Sequence, residues 1–204
     1  MNGKQYYSAR IDKNPNVKGF VLKDFKPLFI KLFMQLDKEG YFTEAFGFTC
    51  VDSGFIPGKV VDPEYDVLIK LRKNNIWPIL NKVNHYSEDD LFDVIEYFFD
   101  NVSKPIDGTF HSWNECGMHW ETFNKTEGKQ YYVSKINELL DLYEKKYILT
   151  ESGEILQKAD KGFDKIFEAD IPTNDNNIKD KLDNAIIRFR KYGSSIEDRR
   201  IAVR

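Results

Sequence analysis

Several things are scarce in this chain, and each scarcity excludes something. Two cysteines in 204 residues, Cys50 and Cys116, do not make a disulfide framework, so a reduced, cytoplasmic chain is expected. Apolar runs extend only a few residues, far short of the ~20 that a membrane-spanning helix needs, and no membrane partner is expected. The opening Met1-Asn2-Gly3-Lys4-Gln5 lacks the apolar core of a secretory signal. There is no internal repeat and no low-complexity tract. A net charge of −3 argues against nucleic-acid binding over the whole surface, and no DNA specificity is evident. No Rossmann fingerprint, nucleophile elbow or Cys–His pair of familiar spacing appears.

What is present is apolar and aromatic: 41% hydrophobic residues and 15% Phe, Trp and Tyr, enough for a sizeable core. The pattern predicts an α+β fold, predominantly helical. Asp24 is read as the cap of a helix ending at Gly40, with Pro27 in its first turn and Phe29, Leu32 and Phe33 inward. Asp62-Pro63 opens a shorter helix to about Lys73. Ser87, with Asp90 three residues on, opens another to about Asn101, burying Leu91, Ile95 and Phe98. Lys129 to Lys146 reads as a helix with Tyr132, Ile136, Leu140 and Tyr143 on one face. Glu151-Ser152-Gly153 joins a small hairpin over about 147–156, and Gln5 to Ile11 is a possible N-terminal edge strand. Residues 41–58 are aromatic and Gly-rich, with Pro57-Gly58 marking a loop; Asp107-Gly108 reads as a turn and Phe110 to Phe123 as irregular.

One constellation bears on chemistry. His111, Cys116 and His119 form H-x4-C-x2-H, three of the four N/S donors that tetrahedral zinc requires, with Cys50 or Glu115 as the fourth. Such a cluster fits a small zinc-binding module or a metal-dependent enzyme; the plainer alternative is that Trp113, Met118 and Trp120 pack inward while the histidines make ordinary hydrogen bonds, so that no cofactor is needed and the chain is a structural interaction domain. Gly54 to Lys59 superficially resembles a phosphate loop, but its glycines are too close, Val60 follows the lysine, and Pro57 lacks an N–H. It reads as a turn. The carboxylate groups Glu88–Asp90 and Asp62–Asp66 sit at helix N-termini, where negative charge is stabilised without any catalytic role.

Ile178, Leu182, Ala185, Ile186 and Phe189 mark one face of a final helix, followed by Gly193-Ser194-Ser195 and the start of another. From Lys179 to Arg204 there are eight basic and four acidic residues. Arg188, Arg190, Lys191, Arg199, Arg200 and Arg204 flank the break, a candidate contact for RNA phosphate. The apolar stripe with no evident partner leads to the expectation of a truncated domain or a swapped arm, with the chain oligomerising through these helices.

Two stretches carry a resemblance. Phe110 to Ile155 runs F-H-S-W-N-E-C-G-M-H-W, then a helix around I-N-E-L-L, then Y-I-L-T-E-S-G-E-I. This resembles the N-terminal region of bacterial abortive-infection proteins of the AbiJ type. The last residues, from I-K-D-K-L-D-N-A-I-I-R-F-R-K-Y-G to the end, are similar to the opening of the HEPN-type helical domain that follows there. The resemblance implies residues 1–172 as a sensor or regulatory region, residues 173–204 as the first effector helices, and RNA or a phage-derived trigger as partner. HEPN ribonucleases use R-x4–6-H. Here the last histidine is His119 and no arginine precedes any histidine at that spacing, so the resemblance implies no catalytic residue in this chain.

Overall fold

The computed structural model describes residues 7–11 and 19–158, together with Ile178, Lys181, Asn184 and Ala185. The chain divides into two units, 1–145 and 146–204. The first contains helices α1 (Tyr7–Arg10), α2 (Leu22–Lys38), α3 (Thr43–Phe46), α4 (Pro63–Leu71), α5 (Ile79–Lys82), α6 (Glu88–Asn101) and α7 (Lys125–Leu140). It also contains two antiparallel pairs, β1 (Phe48–Cys50) with β2 (Gly54–Ile56), and β3 (Lys104–His111) with β4 (Gly117–Asn124). The second unit shows one antiparallel pair, β5 (Tyr147–Leu149) with β6 (Ile155–Gln157), the hairpin expected from Glu151-Ser152-Gly153. The fold is α+β. Among the described residues no helix is long and apolar enough to cross a membrane.

The core of the first unit is where helical periodicity places it. α6 begins at a capping box: Ser87 Oγ accepts from the Asp90 N–H at 3.1 Å, and Asp90 Oδ2 accepts from the Ser87 N–H at 2.9 Å. Two donors that the helix itself cannot satisfy are thereby paired. Ser87→Ala is expected to lower stability by about 1 kcal/mol, read from the denaturant midpoint at unchanged m-value. Leu91, Ile95 and Phe98 on α6 are fully buried, as are Ile136 and Leu140 on α7 and Phe29 on α2. The buried Tyr132 hydroxyl donates to the Ile95 carbonyl at 3.0 Å, tying α7 to α6. Leu32 and Phe33 are half-buried, and Phe33 lies against the rings of Phe42 and Phe98.

Helix ends differ from the sequence reading where neighbours intervene. α2 starts before Asp24, at Leu22, because the chain enters from a bridge between Phe20 and Tyr143. Asp24 serves in the first turn, and Gly40 closes the helix at φ +86°, a conformation that favours glycine. α4 matches its signal, with Asp62 accepting from the Tyr65 N–H at 3.0 Å. α7 starts earlier, at Lys125, because Asn124 and Glu127 bond each other reciprocally. It stops at Leu140 because the Leu142 carbonyl and the Glu144 N–H are committed to Phe20. Those groups cannot also continue a helical ladder.

Three expectations are corrected. The described part of the supposed edge strand, Tyr7–Arg10, is one helical turn: its alternation is loose, and among the described residues no strand pairs with it. Residues 41–58, to which the sequence assigns no element besides the Pro57-Gly58 loop, hold a helical turn and the β1–β2 hairpin. Asp107-Gly108 lies inside β3, and most of 110–123 is ladder. Register shifts between Pro105, Asp107 and Gly108 break the alternation that reveals a strand in sequence. Ile178, Lys181, Asn184 and Ala185 are helical, as the final apolar stripe predicts. Leu182, Ile186, Phe189 and the break at Gly193 lie outside the described residues.

Candidate metal centre

The β3–β4 ribbon sets two histidines side by side. His111 pairs with Gly117 and Thr109 with His119, so the imidazoles occupy diagonal positions on one face. Their ring centroids are 5.0 Å apart. Between the strands, residues 112–116 make a tight connection in which Asn114 and Glu115 both take positive φ and the Cys116 N–H bonds the Trp113 carbonyl. This reversal turns Cys116 back so that its Sγ lies 3.1 Å from His119 Nε2.

The fourth donor comes from 61 residues away in sequence. In β1, Phe48 and Cys50 share a face because strand side chains alternate with period two. The Phe48 ring packs on His119, with centroids 4.7 Å apart, and Cys50 Sγ lies 3.8 Å from His111 Nδ1. Ligand atoms of Cys50, His111, Cys116 and His119 all lie within 4.8 Å of one another. Zn–S of 2.3 Å and Zn–N near 2.05 Å at tetrahedral angles place S and N about 3.6 Å apart, between the two observed S–N separations. Glu115, the other candidate fourth ligand, is exposed and outside the cluster. Of the packing alternative, Trp113 is 67% and Met118 37% exposed, whereas Trp120 is half-buried with its ring against Gly40, so only Trp120 packs inward.

The turn of the β1–β2 hairpin completes the surroundings. Cys50 is buried, and hydrogen bonds from the backbone of Ser53 and then Asp52 hold its thiol down to about 7, against the upward push of burial. Lowering the thiol in this way favours the thiolate, the form that binds metals. The Asp52 carboxylate stands 3.1 Å from His111 Nε2. Neither hydrogen-bonding partner is legible as such in sequence. A carboxylate two residues beyond a cysteine is too common a pattern to single out.

Backbone proximity makes the ribbon intolerant of change at Gly108. A Cβ there meets the His119 carbonyl oxygen at 2.2 Å, an atom that moves only if the strand carrying the ligand moves. Gly108→Ala is therefore expected to cost about 1–3 kcal/mol and to weaken metal uptake. Metal titration of the variant beside wild type checks this.

Of the other sequence candidates, Gly54–Ile56 forms β2, and among the described residues the next helix begins at Pro63, so the phosphate-loop arrangement of strand, loop and immediate helix is not built. Asp90 pairs with Lys73 at 2.8 Å and Asp62 caps α4, structural roles for both carboxylate groups. Arg188, Arg190, Lys191, Arg199, Arg200 and Arg204 lie outside the described residues. Comparison with protein-family models, with curated proteins and with solved structures finds no match in any of the three.

Proposed function

We propose that this chain is a zinc-stabilised, non-catalytic scaffold domain whose metal joins the β1–β2 hairpin to the β3–β4 ribbon. The observation that carries the reading is the convergence of four N/S donors from two hairpins to within 4.8 Å of one another. Two thiolates and two imidazoles suit zinc better than magnesium or calcium, which prefer oxygen. Four protein donors close a tetrahedron, the arrangement of structural sites, whereas catalytic zinc keeps a position for water or substrate. The test is elemental analysis with thiol counting. One zinc per chain, with both cysteines titrating after chelation and without reductant, supports the reading. A Cys50–Cys116 disulfide that binds no metal overturns it.

A second reading places this scaffold as the sensor or regulatory part of an abortive-infection protein. It is supported by the resemblance stretches, which supply the ribbon's ligand-bearing tip, α7 and the β5–β6 hairpin. On this reading the basic residues from Arg188 onward approach RNA phosphate and the final helices join copies of the chain. The purified protein is expected to leave RNA intact with or without zinc. Metal-independent cleavage that survives further purification contradicts the non-catalytic assignment.

A further inference from the structure

We infer that Asp52 is the outer carboxylate of the metal centre, holding His111 so that it binds zinc through Nδ1 while His119 binds through Nε2. The inference rests on the zinc reading and deepens it by assigning a ligand atom to each ring and a positioning role to an exposed turn residue.

The two nitrogens of His111 face different groups. Nδ1 points to the buried sulfur of Cys50 at 3.8 Å, and Nε2 points to Asp52 Oδ2 at 3.1 Å, on the solvent side, where the Asp52 side chain is 53% exposed. A neutral imidazole has one N–H and one lone pair. A carboxylate accepts and cannot donate, so the proton belongs on Nε2 and the lone pair on Nδ1, directed at the cluster. In His119 the nitrogen nearest a thiol is Nε2, 3.1 Å from Cys116 Sγ. The centre thus uses opposite edges of its two rings, which follows from their diagonal placement: one ring is approached from the hairpin tip and the other from β1.

The turn has a consistent logic. Three residues, Val51, Asp52 and Ser53, connect β1 to β2, and Gly54 takes φ +72° to re-enter the ladder. In that turn the backbone of Ser53 and Asp52 bonds the Cys50 sulfur while the Asp52 side chain reaches His111. One short loop therefore orients two of the four ligands. A carboxylate behind a ligating imidazole fixes its tautomer and raises its basicity, and loss of such a partner typically weakens metal binding 10–100-fold. The effect belongs to the ligand rather than to the fold, because Asp52 lies on an exposed turn and contributes nothing to the helical core.

The test uses the full chain, zinc, and competition with a chromophoric chelator. Wild type is expected to hold one zinc. Asp52→Ala should keep that stoichiometry and the wild-type circular dichroism while its zinc affinity falls 10–100-fold. Asp52→Asn, whose side-chain oxygen still accepts from Nε2–H without the charge, should fall less. Nitrogen-resolved NMR of the histidine rings should show zinc on Nδ1 of His111 and on Nε2 of His119. Zinc on Nε2 of His111, or an Asp52→Ala affinity within twofold of wild type at full stoichiometry, overturns the inference and leaves the zinc reading standing. A wild-type chain that takes up no zinc overturns both.

Discussion

Cys116→Ala and His119→Ala are each expected to abolish stoichiometric zinc binding and to lower the thermal midpoint of the loaded protein by about 10 °C. The donor count sets the first effect: removing one of four ligands opens the tetrahedron and leaves the remaining thiolate and imidazoles without a closed shell. Linkage sets the second. Zinc at a thousand times its dissociation constant adds about 4 kcal/mol to the folded state, and each kcal/mol moves the midpoint of a chain this size by about 2–4 °C. The loss should be local in origin. Amides of β1–β4 exchange faster in the metal-free protein, whereas α6 and α7 keep their protection, since Leu91, Ile95, Ile136 and Leu140 are buried in a core that does not involve the donors. Acid should reproduce the result. Protons compete with the metal for its donors, so zinc should be released and the ribbon should loosen before the helices melt. Wild-type and variant proteins with equal midpoints in zinc and in chelator would remove the metal from the account.

Leu140→Asp is expected to be the most damaging single change in the helical core. Leu140 is 1% exposed at the end of α7, on the line of Tyr132 and Ile136 that packs toward α6 and α2. Deleting a buried leucine side chain to alanine costs about 2–5 kcal/mol, and a carboxylate in its place adds the penalty of a polar group with no partner. The sum rivals the 5–15 kcal/mol that typically holds a domain together, so the variant should be largely unfolded or recovered mainly as aggregate. Leu142→Asp is the control. Two residues on, Leu142 is 46% exposed, and a charge there should change stability by less than about 1 kcal/mol. Urea unfolding of the pair checks the contrast. Comparable losses in both variants would mean that α7 does not bury the face assigned to it.

The legible parts of the sequence were those governed by neighbours three or four residues away. Ser87 and Asp90 announce α6 because a capping box is a local exchange of hydrogen bonds, and the structure contains it. Asp62-Pro63 announces α4 and Glu151-Ser152-Gly153 the β5–β6 hairpin for the same reason. The β1–β2 and β3–β4 pairs were not legible. Their strands are short or bulged, alternation is interrupted at Asp107 and Gly108, and exposed Phe110 and Trp113 look like core residues when only composition is visible. The ends of α2 and α7 were misplaced because Phe20 and Tyr143 meet across more than a hundred residues.

The candidate metal centre divides in the same way. His111, Cys116 and His119 are close in sequence, so their donor chemistry was visible, along with two possible fourth ligands. What the amino-acid order alone determined was α2, α4, α6 and α7 and the inward faces of the longer ones, because hydrophobic periodicity and capping act over a single turn. Only the tertiary structure decided between Cys50 and Glu115 and brought Asp52 to the far nitrogen of His111. Those contacts depend on which face of a distant two-stranded turn meets the ribbon, and strand parity, register and bulges settle that jointly, with no trace in any short stretch of sequence.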